Sequence, residues 1–533
     1  MIKRILTLFT ARLQFPLSIS ILASVMLSFH CSIAHAQHKQ EFRGVWVATV
    51  DNIDWPSSKL LSTDSQKIEF TKLLDMHQRN GMNAVITQIR PATDAFYPSQ
   101  YEPWSEWLTG IQGHPPIPYY DPLEFMINET HKRGMEFHAW MNPYRAEFKI
   151  GESTISATHI TKLHPEWFLV YGDKRYFDPG NKQVQQFVSN VVHDIVSHYD
   201  VDAIHFDDYF YPYRITGKEF PDSSSFTRYG NGMNREDWRR SNVDSVILRL
   251  SKVIKKDNKY CKFGISPFGV WRNIDKDPEG SNTKAGQTNY DDLYADILLW
   301  LKLKWIDYVA PQLYWEFSQK VVGFGTLIDW WSKHSYGRQL FIGLGIYRAY
   351  EGKSAAWKNP EELPHQIRKI REYPEAQGSI FFSSKTFKGN PNGWNDSLKN
   401  NYYKYPAIIP PMSWIDNVKP PLPDLKNFQL VNEDFATEEI IISCSLTSLP
   451  QSVGVKQIAI YISPDIKGLK NAAIYKLIPA QNELNFSIKT IPPDWKNVYI
   501  AVTTISKTNN ESANSKIYTF ERNGEKWKLL SEL

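Results

Sequence analysis

The sequence predicts a (β/α)8 barrel with long loops after its strands, followed by a small all-β sandwich. Between Glu41 and Tyr405, short β-branched or aromatic runs alternate with helix-period stretches, as in α/β proteins. There are eight such runs, enough to close a barrel. Beyond a proline-rich stretch, residues 425–533 carry only short alternating runs separated by turn residues, the pattern of an immunoglobulin- or fibronectin III-like sandwich.

The strands predicted for the barrel are Phe42–Val50, Asn83–Arg90, Glu136–Arg145, Val201–Tyr211, Lys262–Trp271, Ile306–Trp315, Gln339–Tyr347 and Gly378–Ser384. Helix periodicity falls between them, at Ser65–Asn80, Pro122–Arg133, Gln183–Tyr199, Arg235–Lys256, Asp291–Lys304 and Glu361–Glu372. Asn80-Gly81 and Gly134 supply helix stops. A doubly wound sheet is the alternative, but the first strand runs into Asp51-Asn52-Ile53-Asp54-Trp55-Pro56 with no glycine-rich phosphate turn. Two long loops, Pro91–Asp121 and Glu147–Lys182, fall on the C-terminal face, where barrels build their sites. The domains expected are a barrel at 37–405, a stiff Pro-rich linker at 406–424 and the sandwich at 425–533.

Residues 1–36 read as a secretory signal. Lys3, Arg4 and Arg12 precede the apolar Phe15–Phe29, and Ala34-His35-Ala36 fits the small-x-small cleavage rule. The protein is therefore expected to be exported, periplasmic or secreted, with lipid anchoring through Cys31 as a minor alternative. No later segment is apolar enough to span a membrane. The net charge is +4, and three of those charges are Lys3, Arg4 and Arg12. The nearly neutral remainder lacks the basic field that nucleic acid binding needs. Cys261 and Cys444 fall in different domains, so no bridge is expected, and no Cys/His cluster marks a metal site. No cofactor is expected, and the oligomeric state is open.

The chemistry concentrates at strand ends. In Ala203-Ile204-His205-Phe206-Asp207-Asp208-Tyr209, alternation points His205 and Asp207 into the barrel and leaves Asp208 at the rim. Carboxylates there can meet an oxocarbenium-like transition state. An Asp that caps a loop or pairs with Arg145 is the plainer reading. Strand three brings Trp140 and Asn142 to one face, suited to a sugar ring and its hydroxyls; His138, deeper, reads as filling. Strand six ends in Gln312, Leu313, Tyr314, Trp315 and Glu316. The partner carboxylate for Asp207 is Asp208, Glu316 or Asp94. Strand five ends in Trp271 and Arg272, strand seven in Tyr347 and Arg348, where substrate positioning and rim salt bridges weigh equally. There is no Gly-x-Ser-x-Gly elbow and no His-Glu-x-x-His.

The segments Glu41-Phe42-Arg43-Gly44-Val45-Trp46, Gln88-Ile89-Arg90-Pro91-Ala92-Thr93-Asp94, Tyr120-Asp121-Pro122-Leu123, His138-Ala139-Trp140-Met141-Asn142-Pro143-Tyr144-Arg145, His205-Phe206-Asp207-Asp208-Tyr209 and Pro311-Gln312-Leu313-Tyr314-Trp315 occur in this order. Together they resemble the glycosyl-hydrolase-like family 10 domain over about Glu41–Lys388. The resemblance implies a (β/α)8 glycosidase-like domain of bacterial envelope or secreted proteins, whose relatives hydrolyse peptidoglycan glycan strands stripped of stem peptides. It places the family's strand-four carboxylates at Asp207 and Asp208, whereas Glu316 follows the shared Tyr-Trp pair where an acid is not typical. The expected catalytic set is Asp207, Asp208 and Glu316. The expected substrate contacts are Arg90, Asp94, Trp140, Asn142, Tyr144, Arg145, His205, Tyr209, Trp271, Gln312, Tyr314 and Trp315. The expected activity is hydrolysis of an amino-sugar glycan by carboxylate acid/base catalysis. A non-catalytic glycan-binding protein and a hydrolase of another polysaccharide are the alternatives.

Overall fold

A computed structural model describes residues 38–434, 439–446, 454–489, 491–524 and 526–532. The expected leader, with Cys31, lies outside the described residues. Eight parallel strands close a barrel: β1 Phe42–Val47, β2 Ala84–Arg90, β3 Glu136–Met141, β4 Ala203–Phe206, β5 Lys262–Ile265, β6 Tyr308–Val309, β7 Gln339–Leu344 and β8 Ala376–Phe381. Helices such as Thr63–Arg79, Lys182–His198 and Arg235–Asp257 cover its outside. Alternation along the strands separates two cores. Val45, Val85, Phe137, Ile204 and Phe206 pack outward against the helices. Phe42, Trp46, Ile86, Trp140, Tyr308 and Phe341 fill the interior, as layered side chains do in such barrels. Gly264 makes room there, since a Cβ at that position would lie 1.9 Å from the Tyr308 ring.

The observed strands are shorter than the sequence pattern predicts, for local reasons. β4 stops at Phe206 because the Asp207 carboxylate accepts the Tyr209 N–H at 3.3 Å and turns the chain. β6 is two residues long because Pro311, with no N–H, ends it. A helix at Phe324–Lys333 was not predicted: it starts at Gly323, without a side-chain cap, and is rich in aromatic residues.

The C-terminal part has eight strands where the sequence shows five alternating runs, Ile440–Leu446, Gln457–Ile462, Leu484–Ile488, Tyr499–Ser506 and Ser515–Glu521. The strands are β9 Leu425–Asp434, β10 Glu439–Leu446, β11 Val455–Ser463, β12 Ile474–Pro479, β13 Glu483–Ile488, β14 Asn497–Ser506, β15 Tyr518–Asn523 and β16 Lys526–Glu532. A sheet of order β9-β10-β13 faces one of order β12-β11-β14-β15-β16 over a shared apolar core. The unpredicted β9, β12 and β16 are edge strands, as is β13, whose burial alternates cleanly and whose run the sequence does show; burial along β12 does not alternate.

The Pro-rich stretch is pinned at the barrel's N-terminal end. Gln339 Nε2 donates to the Pro410 carbonyl at 2.7 Å, Trp414 Nε1 to Asp307 at 3.0 Å, and Met412 N to the Thr508 carbonyl at 2.9 Å. The sandwich meets the same floor, where Lys456 Nζ reaches Glu136 at 2.6 Å. It therefore sits at the opposite end of the barrel from the strand C-termini. Cys261 and Cys444 are both buried free thiols. No described helix is long and apolar enough to cross a membrane.

Candidate active site

At the C-terminal ends of the strands lies a cavity of about 490 Å³, a size typical of small-ligand sites. Asp207 and Asp208 are the only carboxylates among its described lining residues. They sit at one wall, just past β4. The opposite wall, at β8 and β1, is made by Phe382, Trp46 and Ala48.

Asp207 is 4% exposed and held by nitrogen donors. Trp140 Nε1 donates to Oδ2 at 3.0 Å, and Asn142 Nδ2 donates at 3.2 Å to Oδ2 and 3.3 Å to Oδ1. The predicted sugar contacts of β3 are thus turned onto the carboxylate. Arg145 is held in turn by Asn142, whose Oδ1 accepts the Arg145 N–H at 2.8 Å. Burial raises the Asp207 carboxyl, and the Arg145 charge with the Trp140 and Asn142 donors opposes that rise.

Asp208 has a different environment. It is 2% exposed; the Tyr213 hydroxyl donates to it, and the Gln312 side chain is a further hydrogen-bond partner. Burial first, then the neighbouring Asp207 charge, lifts its carboxyl to about 7. Asp94 and Asp244 also reach about 7 through burial, yet neither lines the cavity. Location therefore singles out Asp208. Both carboxyls are thus raised, Asp208 to about 7 and Asp207 against the Arg145 charge and N–H donors that favour its ionised form, which suits an acid beside a charged partner.

His205 lies one layer below. Its Nε2 meets Trp46 Nε1 at 3.1 Å and Ser266 Oγ at 2.9 Å, and its Nδ1 meets Tyr308 Oη at 2.8 Å. Burial pushes its pKa well down, so the ring is neutral. Trp140, Arg145, Tyr209, Gln312, Tyr314 and Trp315 line the cavity as nominated. Seven other nominees do not: Asn142 and His205, already placed, and five more. Arg90 is buried in an ion pair with Glu102, which the long β2 loop brings over it. Asp94 is buried within the same loop, its Oδ1 accepting the Ala92 N–H at 3.0 Å. Tyr144 is fully buried, and Trp271 stacks on Trp330. Glu316 turns away, accepting from Ser354 Oγ at 3.1 Å and Trp357 Nε1 at 3.0 Å.

Sequence reasoning missed Gln88 and Tyr213. Gln88 is fully buried on the cavity wall, and its Oε1 accepts the N–H groups of Thr49 and Val50 at 3.1 and 3.0 Å. Those two bonds fix the amide's orientation. Its Nε2 is left as a donor with no partner among the described residues, which a bound hydroxyl or carbonyl can satisfy. Inward alternation along β2 could have found it; Tyr213 lies on a loop with no period to read.

Residues 41–358 match the family described as glycosyl hydrolase-like 10. The chain belongs to that family. It is 44% identical over 490 residues to the glycosyl hydrolase YngK of Bacillus subtilis, covering 91% of this chain and 94% of the relative. The glycosyl hydrolase DigH of Escherichia coli K12 is 37% identical over 370 residues, 65% of this chain and 83% of that protein. Among solved structures, the glycoside hydrolase domain of PgaB (BpsB) from Bordetella bronchiseptica aligns with a TM-score of 0.44 at 13% identity, over 68% of this chain and 98% of that one.

Two substitutions separate holding from bystander roles within the family site. Trp140→Phe keeps the ring and removes one N–H from Asp207, a bond to a charged group worth about 1.5–3 kcal/mol. If Asp207 acts in the reaction, kcat should fall roughly 10- to 100-fold with KM little changed; an unchanged kcat would show that this bond does not matter. Glu316→Gln should leave kcat/KM within about a factor of three, because Glu316 faces Ser354 and Trp357 instead of the cavity.

Proposed function

We propose that the protein is an exported glycoside hydrolase acting on a β-linked amino-sugar glycan, with peptidoglycan strands lacking stem peptides as the leading substrate. The observation that carries this is the pair Asp207–Asp208 in an aromatic-walled cavity, with one carboxyl held by nitrogen donors and the other kept protonated near neutrality. Asp208 is the general acid that protonates the leaving glycosidic oxygen. Asp207, whose charged form Arg145 and the N–H donors favour against burial, faces the positive charge that develops at the sugar. The aromatic wall receives the apolar face of a sugar ring, and Gln88 Nε2 offers a donor to its oxygens. Arg145 and Arg348 also line the cavity. With Asp208 neutral they outnumber its negative charge, which suits a glycan whose lactyl carboxylates are freed when stem peptides are removed. The resemblance to the family supports the same substrate.

Digestion tests this reading. The chain from Gln37 would be incubated with amidase-stripped glycan strands and with intact sacculi, and products read by mass spectrometry. New reducing ends from stripped strands are expected. Binding with no fragments from any glycan would instead support a non-catalytic binding protein. The pH profile has a definite sign. Asp208 works protonated, so kcat/KM should hold at pH values below about 7 and fall as pH rises through it. Loss confined to pH below 5 would remove Asp208 from the acid's role.

A further inference from the structure

Among the described residues the cavity offers one carboxyl for proton transfer and an occupied one beside it, but no carboxylate on the wall across from them. A protein nucleophile stands about 5–5.5 Å from the acid, and an inverting base about 6.5–9.5 Å, on the other face of the sugar. Here both lining carboxyls come from consecutive residues at the end of β4, while β8 and β1 present Phe382, Trp46 and Ala48 across from them. The other acids nominated from the sequence do not line the cavity: Glu316 is held by Ser354 and Trp357, and Asp94 is buried within the loop after β2.

Asp207 is itself a poor attacker. Three N–H donors, from Trp140, Asn142 and the Tyr209 backbone, occupy its two oxygens. A carboxylate has about four acceptor positions. What remains suits one more N–H, and the geometry fits a fixed charge better than a group that must form and break a covalent bond.

We propose that the nucleophile is the substrate's own 2-acetamido group, held by Asp207 through its N–H, so that the enzyme requires an N-acetylated amino sugar on the C1 side of the bond it cuts. This rests on the glycosidase reading above. In the first step the Asp208 proton passes to the glycosidic oxygen. The C1–O bond breaks, its electron pair staying with the leaving hydroxyl. The acetamido carbonyl oxygen bonds to C1, giving an oxazolinium ion whose positive nitrogen faces the Asp207 carboxylate. In the second step the Asp208 carboxylate takes a proton from water, and the water oxygen bonds to C1. The bond from C1 to the acetamido oxygen then breaks, and its pair restores the amide. Two inversions give net retention, with no co-reactant other than water. Apolar Trp46, Ala48 and Phe382 offer the acetamido methyl a dry surface.

The test pairs amidase-stripped glycan strands with the same strands after chemical de-N-acetylation. The wild-type protein should cut the acetylated strands and cut the de-acetylated ones at least about 100-fold more slowly, as expected when a positioned intramolecular nucleophile is lost. A sugar thiazoline, which mimics the oxazoline but cannot open, should inhibit competitively, and the released reducing end should keep its anomeric configuration by NMR. Equal cleavage of both strands would overturn the proposal and leave the glycosidase standing. So would inversion, or a glycosyl adduct on Asp207 after treatment with a 2-deoxy-2-fluoro glycoside. Cleavage of neither strand would remove the glycosidase reading, and this one with it.

Discussion

Asp208→Asn should lower kcat by about three orders of magnitude, within the 10²–10⁴-fold range for a positioned general acid, while the protein stays folded. Asn has no proton to give, yet its Oδ1 still accepts from the Tyr213 hydroxyl, so the local packing survives. Stability should move the other way. The folded Asp208 carboxyl, at about 7, lies above its unfolded value of about 3.9. The native state therefore binds the extra proton between those values. Its stability falls as pH rises through that window and levels off above the folded pKa. Asn carries no such penalty. Variant and wild type should melt together near pH 4, and the variant should melt higher at pH 8. Full loss of activity with a lower melting temperature at both pH values would point to misfolding and would not support the acid's role. Retention of more than a tenth of the wild-type kcat would exclude Asp208 as the acid.

This site was partly legible in the sequence because strand alternation has a fixed period. His205 and Asp207 could be placed inside the barrel from two-residue spacing alone, and both are there. Gln312 and Tyr314 followed from the same rule applied to the predicted strand Ile306–Trp315, and they line the cavity although β6 itself ends at Val309. Alternation says which way a side chain points, but not what meets it. Arg90 and Glu316 stand at strand ends as cavity residues do, yet Glu102 arrives from one loop and Trp357 from another to take them. Trp140 was read as a surface for sugar, because a sequence cannot show that its N–H finds Asp207 at 3.0 Å. Tyr213 lies on a loop where no periodicity operates. The barrel was legible for the complementary reason: its eight apolar runs are buried on both faces, and several follow helix stops such as Asn80-Gly81 and Gly134. In the sandwich the edge strand β13 alternates and was legible, whereas β12 does not alternate and was missed.

The largest stability effect is expected at the floor of the barrel, far from the chemistry. Glu136 opens β3 with its side chain 4% exposed, and four partners converge on it. Lys262 Nζ lies at 2.5 Å, Lys456 Nζ at 2.6 Å, His138 Nε2 at 3.0 Å and Asn509 Nδ2 at 3.3 Å. Lys456 and Asn509 belong to the sandwich, so this one carboxylate ties the two folds together. The two lysine charges hold Glu136 well below its ordinary value against the burial that raises it. Its contribution is present above the unfolded pKa and is lost as pH falls toward the folded one. Glu136→Gln leaves Lys262, 1% exposed, as a buried charge without its counter-ion, a loss of about 3–5 kcal/mol. Removing both charges, with Glu136→Gln and Lys262→Met, should recover most of that, because an apolar replacement of a buried pair is often neutral. Lys456→Met alone should cost less, since its side chain is 17% exposed and Glu136 keeps Lys262. Urea midpoints of the four proteins measure this order. A single Glu136→Gln variant no weaker than the double variant would show that the pair is not what stabilises the floor. Activity gives the independent check. β3 is six residues long, so Glu136 lies roughly 16 Å from the strand's other end. A stable double variant should keep kcat/KM within about a factor of three. A larger loss would mean that the chain from Glu136 through His138, Tyr308 and His205 to Ser266 sets the geometry of the cavity from below.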